Sequence, residues 1–463
     1  MRQLRHLVVI GHGIAGLAAA LSAAEEARGS VRITILDKAP AAEAGGNTRW
    51  SPSNMRMAST ERVEPQFVED MMEATGGRGD RRYFERLAAE APDAIKWLQS
   101  FGVEFIQPPY YLAKGPPRIQ PVGGGAKLIE LLSHAAQNSN INFRYECAAH
   151  EIVTDNGDIA GVAVRDKTGS EVVPADTIVL ACGGFQANRA MLRAQLGEPA
   201  GSMRLISPGT SFDTGDGIAM ATRIGADRSG DWNGMHCEPV DTRSKGSAPV
   251  VLVYPYGIVV DRQGRRFFDE GGGLMHETWE RLARMIQFEA PGAIAFVVLD
   301  SRLLEIADYQ RAIRSEVAPV KAETLPELAR ACDIDSGGLI ETVHRYNAAC
   351  TGEPQRFDAT RCDGLRADSA LSPPKSNWAR AISKPPFLAY PIVGAIAYTF
   401  GGLATDARAR VLRQGQPISG LFAAGEITGH FYATAPNAVS VLRALVFGRI
   451  AGLEAVNLLQ PAR

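Results

Sequence analysis

The apolar positions of the chain fall into short continuous runs separated by glycine-rich joints. Leu7-Val8-Val9-Ile10 is a first such run, of the length of a buried strand. It leads into Gly11-His12-Gly13-Ile14-Ala15-Gly16, and an Ala-rich stretch over 17–26 reads as a helix. A second run over 31–36 ends on Asp37. Strand, glycine turn, helix, strand and terminal acid in this order form a dinucleotide fingerprint. The glycines permit a tight turn and close approach to a pyrophosphate, the helix N-terminus faces that anion, and the acid holds ribose hydroxyls.

Further along, residues 61–101 and 127–137 carry helical periodicity. Short strands are expected over 141–145, 151–154, 159–165 and 171–173, with hairpin turns at Asn156-Gly157 and Thr168-Gly169. Residues 177–181 form a continuous apolar strand that delivers Cys182-Gly183-Gly184-Phe185. Thr214-Gly215-Asp216-Gly217 opens a helix over 218–224. Between 233 and 384 the texture changes, with helices expected near 277–287, 302–307, 325–332 and 338–349. Pro373-Pro374 and Pro385-Pro386 mark a return linker. Strand texture returns near 409–412, and Ile418 to Ala424 ends in Gly425-Glu426, which places an acid beside a cofactor polyol. A final helix is expected over 439–458. This division gives a nucleotide-binding domain in two parts, 1–232 and 387–463, and a capping domain over 233–386.

Composition narrows the picture. At 463 residues two domains are the default, and 45% hydrophobic with 22% charged residues is ordinary for a globular chain. The net charge of -2 and the lack of a basic stripe argue against a nucleic-acid partner. Arg2, Arg5 and the first apolar run resemble a signal peptide, but Gly11, His12 and Gly13 interrupt the run, so a cytoplasmic location is expected. The six cysteines are scattered without a CxxC pair, so thiols are expected and no disulfide, metal or iron–sulfur site.

Taken in order, the fingerprint, Gly45-Gly46-Asn47, Leu180 to Phe185, Thr214 to Gly217, Gly401-Gly402-Leu403 and Ala423-Ala424-Gly425-Glu426 resemble the fumarate reductase/succinate dehydrogenase flavoprotein superfamily across nearly the whole chain. Asn47-Thr48-Arg49, Tyr254 to Ile258, Pro373 to Ala379, Pro385-Pro386-Phe387 and Val446-Phe447-Gly448-Arg449 look like the tricarballylate dehydrogenase branch. The resemblance implies an α/β fold: a Rossmann-like FAD-binding domain of glutathione-reductase type, with three-layer β/β/α topology, and an inserted α+β capping domain. It also implies FAD as cofactor. No histidine stands between His12 and His134, where related membrane enzymes attach the flavin, so the FAD is expected to be noncovalent.

Carried over, Gly11, Gly13 and Gly16, with Ile14 and Ala15 between them, belong at the pyrophosphate, and Asp37 with Lys38 at the adenosine ribose. Gly45, Gly46, Asn47 and Thr48 lie along the flavin side, and Ala149, Cys182 and Gly183 near the adenine. Asp216, Gly425 and Glu426 belong at ribityl or pyrophosphate groups, and Ser440 and Leu442 at the pyrimidine end. Soluble fumarate reductases carry an arginine shortly after the segment matched by Arg266 to Glu270, and a histidine where Ala397 and Tyr398 stand. Their substrate-clamping arginine falls near Ala435 or Pro436. These departures disfavour fumarate reduction.

The chemistry expected is loss of a hydride from one carbon and a proton from its neighbour, giving an alkene in a small carboxylic acid, as in tricarballylate to cis-aconitate. Candidate cations for a carboxylate are Arg49, Lys114, Arg118, Arg284 and Arg443, the first and last flanked by flavin-side segments. Candidate proton carriers are His236, Tyr398, His430 and Tyr432, with His276 in the cap as an outlying one. Two alternatives stand beside this: an enoyl reductase or ring (ketosteroid-like) dehydrogenase, and a non-enzymatic or cobalamin-pathway flavoprotein. The family further implies a membrane iron–sulfur protein that accepts the electrons.

Overall fold

The first apolar strand lies inside a sheet, flanked on both sides. In the computed structural model, which describes residues 4–460, Arg5–Ile10 pairs in parallel with Val31–Leu36 and with Thr177–Leu180. Arg2 lies outside the described residues. The full six-stranded order is Arg410–Arg413, Gln416–Ala423, Thr177–Leu180, Arg5–Ile10, Val31–Leu36 and Asn142–Arg144. All neighbours are parallel except the hairpin formed by the first two.

Strand alternation assigns the two faces. Leu7, Val9, Ile33, Ile35 and Val179 point into a core shared with the helices Ile14–Ala27, Gly124–Asn138 and Ser440–Leu459. Val8, Ile10, Ile178, Leu180 and Leu421 point the other way. There they meet Ile152, Val162, Val164 and Val173 of a three-stranded antiparallel sheet, Ala148–Asp155, Asp158–Asp166 and Gly169–Pro174. These are the three layers, β/β/α, around the sheet. The C-terminal helix approaches the first helix closely because it has no side chain at two points. A Cβ on Gly448 would stand 2.4 Å from Ala15 O, and one on Gly452 2.0 Å from Ala19 O.

A second mixed sheet forms around Phe387–Thr399, a strand of 13 residues. Its alternate residues fill two cores: Leu388, Tyr390 and Ile392 on one side, Phe387 and Ala389 on the other. Burial on both faces explains its unbroken apolar run. It pairs with Met235–Asp241, Ala295–Leu299 and Val320–Ala322, all from the inserted segment. The strand that opens the expected third segment is therefore hydrogen-bonded into the sheet of the second. The helix Met275–Phe288 packs on it at Gly394, where a Cβ would stand 2.5 Å from Ala283 O. That close approach brings the first turns of the helix over the end of the strand.

Elsewhere the expected helical stretch 61–101 divides into Phe67–Ala74 and Arg81–Ser100, with Gly76 and Gly77 at positive φ between them. The stretch near 302–307 is a short 3-10 turn, Ser301–Glu305. Among the described residues all six cysteines are free thiols, no His/Cys/Asp/Glu group could hold a metal, and no helix is long and apolar enough to cross a membrane.

Candidate active site

Both sheets end on one cavity of about 1240 Å³. Its floor is the C-terminal edge of the six-stranded sheet, and its roof comes from the second sheet and the helix Met275–Phe288.

The floor is shaped by glycines with different duties. On Gly16 a Cβ would meet Gly11 O at 1.9 Å, and on Gly11, with φ of 112°, it would meet Ala181 O at 2.3 Å. These two residues close the turn. Gly13 differs: nothing lies nearer than 3.8 Å to its Cβ position, and the residue lines the cavity at the helix N-terminus. An open cradle of backbone at a positive dipole end fits a pyrophosphate. Ile14 and Ala15 line it as well. Beside it, Asp37 accepts from His12 N at 2.8 Å and Ala39 N at 2.7 Å, while burial pushes its carboxyl above the usual range. Lys38 reaches Asp216 at 2.7 Å. Ala149, Cys182 and Gly183 complete this end, the thiol of Cys182 pushed up to about 12 by burial.

Gly46-Asn47-Thr48 begins a five-residue helix, Gly46–Trp50. Asn47 spends its amide on protein: Nδ2 donates to Asp213 Oδ2 at 3.2 Å and Ala397 O at 3.0 Å, and Oδ1 accepts from Thr210 at 2.7 Å. Asn47 thus ties the cofactor floor to the end of the long strand. Asp213, absent from the sequence reading, is buried 3.1 Å from Gln186 Nε2, and Gly183 leaves room for it. Burial and then the charge of Glu426 raise its carboxyl. Glu426 accepts from Thr399 N at 3.1 Å and is itself pushed up to about 7 by burial. Two acids in one dry wall suit hydrogen bonding to hydroxyl or amide groups of a polar ligand. Ser440, Gly425 and Arg443 line the same side.

The roof joins His236 and Tyr398. They are opposite each other across the antiparallel pair, with ring centroids 4.9 Å apart. His236 Nδ1 lies 2.8 Å from Glu280 and Nε2 3.3 Å from Glu238. Burial lowers its pKa, but the two glutamate contacts override that and raise it to about 9. It is a held imidazolium. Burial drives the Tyr398 hydroxyl far above its ordinary value, so it keeps its proton. Arg118 is buried over the rings of Tyr110 and Tyr111, 4.3 and 5.0 Å from their centroids, and its Nε has no partner among the described residues. Arg281, Arg284, Arg314 and His276 also face the cavity.

Several expected residues lie elsewhere. His430 is packed on Tyr83 at 3.6 Å, bonded to Thr405 at 2.8 Å, and its pKa falls to about 3 through burial; it does not line the cavity. Tyr432 directs its hydroxyl to Ser229 and Gly230 N, both at 3.1 Å. Lys114 is exposed on the 108–118 loop, and Arg49 turns back to Ala44 O at 3.0 Å. Leu442 is fully buried in the helix core. Gly16 and Gly45 shape the floor from behind: Gly45 has φ of 126° and a Cβ there would meet Arg49 Cβ at 2.9 Å. Sequence reasoning also passed over Glu238, Glu280, Trp279 and Arg314. For Glu238 a signal existed, since it is two residues from His236 on one strand and so on the same face; Glu280 comes from the helix Met275–Phe288, distant in sequence.

The family described as FAD binding domain matches residues 6–438. The chain is 30% identical over 480 residues to a probable fumarate reductase, Ifc3, of Shewanella frigidimarina, covering 97% of this chain and 74% of that protein. It is 29% identical to a 4-oxocyclohexanecarboxylate 2-dehydrogenase of Sinomonas cyclohexanicum, over 84% of this chain and 70% of that one. The structure of the open conformation of a flavocytochrome c3 fumarate reductase superposes with a TM-score of 0.80 at 26% identity, covering 99% of this chain and 79% of the other. These likenesses reach the fumarate reductase superfamily and not the tricarballylate branch within it.

Proposed function

The chain belongs to the FAD-binding family of the fumarate reductase and succinate dehydrogenase superfamily, FAD-dependent oxidoreductases that act between CH–CH and C=C, and from that premise we propose that it dehydrogenates a small polycarboxylic acid, in the manner of tricarballylate to cis-aconitate. The observation that carries this reading is Arg118. A guanidinium buried on two tyrosines with no carboxylate in ion-pair range among the described residues needs a counter-ion, because an unpaired buried charge costs several kcal/mol. A substrate carboxylate supplies it, and Arg gives fork geometry for that group.

Bound noncovalently over the open Gly13 cradle, FAD supplies the two-electron acceptor. Asp37 and Lys38 hold the adenosine end, and Glu426 and Asp213 the polar middle. Arg118, with Arg284 and Arg314 also on the cavity wall, fixes the acid and stabilises negative charge that develops on its carboxylate as the adjacent proton leaves. The His236 imidazolium is neutralised by the glutamates that clamp it, Glu238 and Glu280, and the three form a fixed polar cluster in the roof. Tyr398 offers a hydroxyl that keeps its proton. A separate iron–sulfur or other redox protein takes the electrons onward.

A second reading, a cyclic keto acid as substrate, draws support from Trp50, Tyr111, Trp279 and Tyr398 in the cavity wall and from the likeness to the cyclohexane-ring dehydrogenase. Anaerobic addition of tricarballylate, succinate and 4-oxocyclohexanecarboxylate to the FAD-loaded protein separates the two. Bleaching of the oxidised flavin band by an acyclic acid supports the first, bleaching by the ring acid alone replaces it with the second, and bleaching by neither overturns both. Acid precipitation is expected to release the flavin into the supernatant; flavin left on the pellet contradicts noncovalent binding.

A further inference from the structure

The cavity holds a second histidine in the opposite condition to His236. His276 sits on the first turn of the helix Met275–Phe288, and its Nδ1 is buried with no hydrogen-bond partner among the described residues. Its ring meets that of Tyr110 edge-on at 5.0 Å, and Tyr110 lies directly under the Arg118 guanidinium. Arg118 Nε is likewise buried and unpartnered. Two polar groups with unused hydrogen-bonding capacity therefore lie against the Tyr110 ring. Buried polar atoms left this way call for a polar ligand.

We propose that His276 is the base of the dehydrogenation, taking the proton from the substrate carbon next to the carboxylate held by Arg118. This rests on the polycarboxylate reading given above. The other titratable groups of the roof are unsuited to the task. Both ring nitrogens of His236 are engaged by Glu280 and Glu238, so it has no free lone pair to offer. Those two glutamates are occupied in holding it, and Tyr398 retains its proton. Asp213 and Glu426 belong to the cofactor floor. His276 is neutral and available: burial lowers its affinity for a proton, Glu277 opposes this, and Arg118 and Arg56 lower it further. Of the two histidines in one cavity, one is held charged and spent on two glutamates, and the other is neutral and left to accept a proton.

The step balances without a further reagent. The carbon beside the carboxylate loses H+ to a nitrogen of His276, and its C–H electron pair becomes the π bond. The hydrogen of the neighbouring carbon would leave with both its electrons, and FAD, when bound, would be the oxidant that takes them. The imidazolium returns its proton to water after the alkene leaves.

Stopped-flow reduction of the FAD-loaded protein tests this, with His276→Gln and His276→Ala beside the wild type. The wild-type rate is expected to fall at acid pH as His276 protonates, and to slow with substrate deuterated next to the carboxylate. In H276Q the rate is expected to drop roughly 100- to 10,000-fold, with the acid limb abolished and the substrate dissociation constant within about threefold of the wild type. Imidazole is expected to restore part of the rate in H276A. The visible flavin spectrum of each variant reports that the protein folded and loaded; if one variant fails there, the other carries the comparison. Reduction of H276Q at the wild-type rate, or with the acid limb intact, overturns this proposal alone. A wild type that no carboxylic acid reduces overturns the functional reading as well.

Discussion

The floor and the roof of the cavity are built on different principles. The floor is assembled from short local segments, and backbone does most of its work: Gly11, Gly13 and Gly16 in one turn, Asp37 at the end of the next strand, Gly425-Glu426 at the end of another. The roof is made of long side chains from remote parts of the chain. His236, His276, Glu280 and Tyr398 are brought together because the long strand Phe387–Thr399 pairs with Met235–Asp241 and receives the helix Met275–Phe288 at Gly394, and Arg118 and Arg314 join the cavity wall from segments outside these elements. The floor can hold a cofactor common to many enzymes, since backbone amides and a few acids suffice. The roof presents individual side chains, and on the function proposed above it is where the substrate is met.

That contrast is broken most severely within the glycine turn itself. Gly13→Val adds bulk where the protein leaves space, so the chain is expected to fold and to be purified without FAD, as absorbance near the flavin band would report. Gly16→Val forces a side chain against Gly11 O and is expected to destabilise the fold by about 3 kcal/mol or more, read from urea denaturation. If both variants kept their flavin, the floor described here would be wrong.

Next in size is the roof. Arg118→Met leaves the floor intact, so FAD content should be unchanged while kcat/KM for the acid falls roughly 100- to 1000-fold. Loss of flavin in that variant would erase the distinction between the two walls. The His236 clamp gives a smaller effect. Its folded pKa of about 9 lies above the ordinary 6.5. Its stabilisation, about 3 kcal/mol, is therefore fully present below about pH 6.5 and lost as pH rises through about 9. Denaturation midpoints of the wild type should fall over that window, and His236→Gln should flatten the fall. Smallest are Lys114→Met and Tyr432→Phe, both away from the cavity, for which activity within about threefold of wild type is expected.

The same division governs what could be read before the structure. Gly13, Asp37 and Glu426 each stand beside the strand end or helix start that places them on the cavity wall, so their position was legible in the local pattern, whereas Asn47 was singled out by resemblance. The first helix, expected over 17–26, is Ile14–Ala27, and the hairpins at Asn156-Gly157 and Thr168-Gly169 are where their turn residues put them. The roof was less legible. Pro385-Pro386 read as a linker, yet the next residue begins a central strand, because Pro386 itself lies just outside the ladder. His430 and Tyr432 are polar residues next to a glycine-rich segment, which resembles a site, but their chain turns inward and spends them on Tyr83, Thr405 and Ser229. Asp213 was overlooked because its importance comes from Gly183, Gln186 and Asn47, all distant in sequence.

The central claim is that a carboxylate on the substrate, met by Arg118, is what admits it to the flavin. Anaerobic stopped-flow reduction of the FAD-loaded wild type by tricarballylate, set against its trimethyl ester, measures this directly. Rapid bleaching by the acid and none by the ester is the predicted result. Equal bleaching by the ester, or bleaching only by neutral ketones, would contradict it.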